Sequence, residues 1–213
     1  MKNKKYNYIL WDWNGTLLDD AAAGVAVINE MLARRKMKTL SGTAEYRRVF
    51  CFPVSDYYKK LGFDFERESF EQLSVEYTAA YGRQNPQLRQ EAKETLAAVS
   101  VLGITQMLLS ASEGVFLKKQ TKALGVDKFF VKSLSLDNIY AGGKTHLARQ
   151  WLDDSGTDPK TVLIVGDTLH DLDVAKTLGC GCALICGGHQ HLDRSNTHGA
   201  KVLNSLCGVL KML

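Results

Sequence analysis

The sequence predicts an α/β fold, a Rossmann-like parallel sheet core with helices on both faces, joined to a small all-helical second domain. Three observations predict it. Five short runs are almost continuously apolar, as strands covered on both faces must be. From Gly103 onward these runs alternate with segments of helical periodicity, the pattern of right-handed crossovers in a parallel sheet. Between the first and second runs, residues 19–89 hold no convincing strand and read as helix.

The first run, Tyr6–Trp11, ends at Asp12. Asp19 and Asp20 are good helix-capping residues, and AAAGVAVINEMLARR after them is a helix former. Further helical segments run through Glu45–Phe50, Val54–Leu61 and Glu66–Gly82, punctuated by Ser41-Gly42, Pro53, Gly62 and Pro86. The expected division is therefore 1–18 and 90–213 for the core and 19–89 for the helical domain, seated over the strand ends. The remaining strands are Ile104–Leu109, Phe129–Val131, Val162–Val165 and Cys182–Cys186. Leu147, Trp151 and Leu152 share one helix face. Leu169, Leu172, Ala175 and Leu178 share another, and Gly179 follows as a stop.

Composition narrows the function classes. Of 213 residues, 45% are hydrophobic and 23% charged, which excludes general disorder. Three prolines and 18 glycines without a period exclude collagen-like chains. A chain this size buries roughly 70% of its unfolded surface, enough for a core without metal or disulfide staples. A net charge of +4 suits an anionic small molecule but is too weak to argue for nucleic acid. No segment approaches the roughly 20 apolar residues of a membrane helix. The N-terminal apolar run is too short for a signal peptide. Five cysteines, Cys51, Cys180, Cys182, Cys186 and Cys207, then point to free thiols in a reducing cytoplasm. Cys180, Cys182 and Cys186 are spaced like a metal cluster, but alternation along a buried strand gives the same pattern and no His/Cys pair at zinc-finger spacing supports a metal. No heptad run stands out, so a monomer or weak homodimer is expected.

Ligands of open parallel sheets bind beyond the carboxyl ends of the strands. Asp12-Trp13-Asn14-Gly15-Thr16-Leu17 follows the first strand and Ser110 the second. Gly143-Lys144 lies between the third and fourth, Gly166-Asp167-Thr168-Leu169-His170-Asp171 closes the fourth, and Gly187-Gly188-His189 follows the fifth. Acid, hydroxyl, ammonium and two further acids thus converge on one rim. Hard oxygen ligands suit magnesium and leave room for a substrate phosphate. A carboxylate can attack phosphorus, and a lysine and a serine can hold the equatorial oxygens.

These four ordered motifs resemble those of the haloacid dehalogenase superfamily, across roughly Tyr6 to Leu210, with most similarity to its phosphoglycolate-phosphatase-like branch. The helical insert is similar to that superfamily's cap. The resemblance implies a Mg2+-dependent phosphatase of a small phosphorylated metabolite. It makes Asp12 the nucleophile and Ser110 and Lys144 the phosphate-binding groups, with Thr16 and Ala111 beside them. It makes Asp167 a direct metal ligand, Asp171 a ligand through water or a holder of Lys144, and the Asn14 main-chain carbonyl a further ligand. One departure matters. The superfamily's phosphatases usually have a second aspartate, the general acid and base, where this chain has Asn14. A carboxamide cannot shuttle that proton.

Arg47 and Arg48, with Cys51-Phe52-Pro53, occupy the place of a specificity loop, and Arg47 is expected to touch an acidic group of the substrate. His189, on a flexible glycine turn, is expected to contact substrate, while His191 and His198 read as surface residues. Asp19 and Asp20 read as caps at the hinge, Trp11 as core, and Trp13 as leaning over the site's mouth. Rival functions are a phosphotransferase with slow hydrolysis because of Asn14, a low-turnover phosphate-binding protein, and a dehalogenase. The last needs no magnesium and leaves Gly166–Asp171 without a purpose.

Overall fold

The computed structural model describes residues 4–193 and 195–213. Six parallel strands form the main sheet: β1 (Tyr8–Trp11), β4 (Thr105–Glu113), β5 (Lys132–Leu136), β6 (Val162–Gly166), β7 (Gly181–Ile185) and β8 (Lys201–Leu203), in the order β5-β4-β1-β6-β7-β8. The chain fills one side of β1 and then the other. The strand order therefore reverses at β1, and the crevice opens at its carboxyl end.

Alternation along the strands builds two cores. Ile9 and Trp11 of β1, with Leu163 and Val165 of β6, face one side. There they meet Leu96 of α5 (Ala92–Val101), Leu117 of α6 (Gly114–Ala123) and the C-terminal 3-10 turn at Leu206–Met212. Leu10, Val162 and Ile164 face the other, against Trp151 of α7 (Thr145–Ser155) and Leu172 and Leu178 of α8 (Leu169–Leu178). On the first face Trp11 Nε1 donates to Gln106 Oε1, whose amide donates to the Leu96 carbonyl.

Between β1 and α5 lie four helices, α1 (Ala21–Arg34), α2 (Thr43–Val49), α3 (Val54–Lys60) and α4 (Phe70–Tyr81). They pack around a core of their own, including Ile28, Met31, Tyr46, Tyr58, Phe63 and Leu73. Ser69 and Gln72 form a reciprocal capping box that starts α4. Arg35, after α1, ties Glu68 to Glu76 of α4 through ion pairs of 2.6 and 2.5 Å. Among the described residues no helix is long and apolar enough to cross a membrane.

Three elements differ from the sequence expectation. The third strand is Lys132–Leu136, and Phe129 closes a 3-10 turn before it. β5 lies at a sheet edge, so only alternate residues are buried and no continuous apolar run marks it. β8 is the opposite edge, only three residues long and none of them buried. The helical segment is also bounded by a short antiparallel ribbon, β2 (Leu18–Asp19) against β3 (Gln87–Leu88), where no strand is expected.

Leu10 is fully buried in β1, one residue before the site begins to form. Leu10→Ala should cost roughly 2–5 kcal/mol through lost burial and a cavity, read from urea denaturation with an unchanged slope. A cost under about 1 kcal/mol would show that this face of β1 is loosely packed.

Candidate active site

The site grows from the end of β1. The Asp12 amide donates to the Val165 carbonyl at 2.8 Å, continuing the ladder with β6. The chain then turns sharply, with the amides of Leu17 and Leu18 both donating to the Trp13 carbonyl. Gly15 has φ +72° at this turn, and a Cβ there would strike the Asp167 carboxylate and His189. Gly188 packs equally close to Asp167. Two glycines thus let two loops close on one carboxylate.

Asp12, Asp167 and Asp171 are buried, and carboxylate oxygens of all three lie within 4.8 Å of one another. Lys144, the residue before α7, is 2% exposed. Its ammonium pairs with Asp12 and, at 2.7 Å, with Asp171, and donates to the Leu109 carbonyl. Thr16 donates between Asp12 and Asp167 at 3.2 and 2.9 Å. Asp171 also accepts from the amide and hydroxyl of Thr168, which fixes the start of α8. Ser110 is buried and accepts from the Ser112 amide, while Ser112 donates to Asn14 Oδ1 at 2.7 Å. Ala111 lines the cavity beside them.

The other side of Asn14 faces a group that the sequence assigns to helix capping. Asp20 precedes α1, but its side chain caps nothing. It is 2% exposed and accepts from the Gly15 amide, Asn14 Nδ2, the Tyr81 hydroxyl and His189 Nε2, at 2.7, 2.7, 2.6 and 3.0 Å. Burial opposes its ionisation, but the His189 charge and these donors outweigh burial and hold it below the usual carboxylate range. Burial likewise opposes protonation of His189, yet Asp20, with Asp167 and Asp12 behind it, pushes its pKa up to about 9. The imidazolium then donates through Nε2 to Asp20 and through Nδ1 to Tyr46 Oη, 2.7 Å away. Its main-chain amide donates to Asp167 at 2.5 Å.

Charge explains why this floor suits a cation. Burial, with Asp171 and Asp167 adding to it against Lys144, pushes Asp12 up to about 8. Four buried carboxylates, those of Asp12, Asp20, Asp167 and Asp171, face two cations, Lys144 and His189. With all ionised, the excess is two negative charges, the charge of one divalent ion. The Asp12–Asp167–Asp171 oxygens are the hard donors magnesium prefers.

Other expected site residues lie elsewhere. Arg47 is absent from the cavity lining; its guanidinium donates to the Gly187 and Gly188 carbonyls, both at 2.7 Å, because α2 packs directly over that loop. Thr16 is also behind the lining, its hydroxyl committed to carboxylates. Trp13 does not reach the mouth: it is fully buried, with Nε1 donating to Gln120. His170 stacks on Phe52. His191 and His198 are exposed. Arg89, unnoticed in the sequence, braces the loops by donating to the Gly15 and Cys186 carbonyls.

A family model described as haloacid dehalogenase-like hydrolase matches residues 9–185. The chain belongs to that family. A phosphoglycolate phosphatase of Vibrio vulnificus is 26% identical over 208 residues, covering 90% of this chain and 88% of the relative. An N-acetylmuramic acid 6-phosphate phosphatase of Pseudomonas putida is 26% identical over 212 residues, covering 92% and 90%. A haloacid dehalogenase-like family hydrolase of Streptococcus pneumoniae shares the fold at TM-score 0.81 and 17% identity, over 97% of this chain and 98% of that one. The chain is thus a haloacid dehalogenase-like hydrolase of the phosphoglycolate-phosphatase-like branch, and an enzyme of phosphatase type.

The Asp20–His189 pair is buried, so removing one partner strands the other. His189→Gln and Asp20→Asn should each cost roughly 3–5 kcal/mol, and the double variant less than the sum. A urea-denaturation cycle with fully additive costs would show the pair is not coupled.

Proposed function

We propose that this enzyme hydrolyses a small phosphate monoester in the cytoplasm, with magnesium, through an aspartyl-phosphate on Asp12. The observation that carries this reading is the buried Asp12 carboxylate, paired with Lys144 and opening on a cavity of about 190 Å3. An Asp12 oxygen attacks phosphorus and the ester oxygen leaves with its electron pair, taking up a proton. Water then attacks the same phosphorus, loses a proton, and releases inorganic phosphate and free Asp12. Lys144 and Ser110 hold non-bridging oxygens, with Ala111 beside them, and Asp171 keeps Lys144 in position. Asp12, Asp167 and the Asn14 carbonyl would hold magnesium, with Asp171 behind them; when bound it supplies charge neutralisation for the carboxylates and the phosphate. Residues 19–89 act as a cap whose closure excludes water and selects the leaving group. The reading is of a monomer or weak homodimer. No nucleic acid or membrane partner is invoked.

Asn14 favours a second reading, in which hydrolysis is slow and the phosphoryl group passes to another acceptor. Its side-chain Nδ2 is held by Asp20 and its side-chain Oδ1 by Ser112, leaving the main-chain carbonyl as the metal ligand. It can orient a leaving group but not protonate it. General acid–base help is commonly worth roughly 100- to 10,000-fold.

Asp12→Asn should lower magnesium-dependent turnover of p-nitrophenyl phosphate by about 1,000-fold or more. Acid quenching of the wild type should leave phosphate on the peptide containing Asp12. Wild-type turnover in the variant would refute the covalent route.

Asn14→Asp supplies a proton shuttle, but against Asp20, where two carboxylates this close cannot both ionise. One proton is then retained on folding, so the stability of the variant is present at low pH and lost as pH rises. Its deficit against wild type should be larger at pH 8 than at pH 5, by about 1.4 kcal/mol for each pH unit, up to pH 8, by which the folded pair's proton affinity extends above pH 5. Phosphoenzyme decay should quicken. Equal deficits at both pH values would mean that Asp20 does not feel position 14.

A further inference from the structure

We propose that the cavity takes phosphate monoesters of uncharged, single-ring alcohols, aromatic ones best, and disfavours esters whose leaving group carries a carboxylate. The proposal rests on the phosphatase reading for its reaction and on the cavity lining for its selectivity.

The wall opposite the carboxylates is aromatic. Phe50, Phe52, Tyr57 and Tyr77 come from the helical segment, and Phe116 and Tyr140 from the sheet domain. The only cationic residues in the described lining are Lys144 and His189. Both are engaged, Lys144 by Asp12 and Asp171, His189 by Asp20 and Tyr46. Arg47, the cation expected to receive an acidic group, instead clamps the Gly187–Gly188 loop. Glu113 also lines the cavity, and its carboxylate caps α6. A carboxylate on the substrate would therefore find no uncommitted cation in the described lining and a like charge at Glu113. Burying an ionised carboxylate unpaired is prohibitive compared with burying a ring.

Size sharpens the class. An engineered apolar cavity of roughly 150 Å3 accommodates benzene, so about 190 Å3 suits one ring beside the phosphate rather than a nucleotide.

The test compares benzyl phosphate with phosphoglycolate, both esters of poor leaving alcohols, with acetyl phosphate as a small activated donor. Turnover of acetyl phosphate by the magnesium-loaded enzyme, lost in Asp12→Asn, reports the phosphatase reading alone. The kcat/KM for benzyl phosphate should exceed that for phosphoglycolate by about 100-fold or more. Calorimetry on magnesium-loaded Asp12→Asn should show benzyl phosphate binding about tenfold tighter or better. That binding measurement stands even if acetyl phosphate is not turned over, so the two failures are distinguishable. Phosphoglycolate binding as tightly as benzyl phosphate, or tighter, overturns the proposal.

Discussion

The ammonium of Lys144, buried between Asp12 and Asp171, is the contact on which the site depends. It joins the end of β1 to the start of α8 and anchors to the Leu109 carbonyl of β4. Three segments far apart in the chain are thereby held at the point where strand order reverses. The same contact leaves an imbalance. Asp167 has hydrogen-bond donors, Thr16 and the His189 amide, but no cation at pairing distance among the described residues. Burial makes that excess charge costly, and a phosphate alone would worsen it. A divalent cation and a phosphate entering together relieve it, which is why the chemistry and the charge balance point the same way.

The second buried pair links the catalytic floor to the helical segment. Asp20 accepts from Tyr81 of α4, and His189 contacts Tyr46 of α2. Arg47 and the Phe50 carbonyl add bonds to the loop at 187–190. The position of the four helices is thus tied to the same loop that reaches Asp167. A shift of these helices would disturb His189 and Asp20 before it reached Asp12.

Much of this was legible in the sequence because it is local. β1, β6 and β7 are buried on both faces and so read as apolar runs. Asp12, Asp167 and Asp171 stand at fixed offsets from two of those runs, and Lys144 at a helix start. The edges β5 and β8 were not legible, because one-sided burial interrupts the apolar run of β5 and β8 is only three residues long. Nor was the partner of Asp20, which lies 169 positions away. An acid before a helix ordinarily caps it, and only tertiary contact turns Asp20 inward. The extra acid at position 20, in a chain with Asn14 in place of an acid, was the available signal. Arg47 shows the converse: a basic residue near a substrate loop reads as a recognition group, while main-chain carbonyls nearby can take all its donors.

A divalent cation lets the carboxylates of the buried floor, whose ionisation burial and mutual repulsion oppose, carry their charge together. Thermal unfolding against magnesium concentration, without substrate, tests it most directly. The midpoint should rise with magnesium in the wild type, by the equivalent of about 2.7 kcal/mol at a hundredfold excess over Kd, and the rise should vanish in Asp167→Asn. A wild-type midpoint that magnesium does not move would contradict the account.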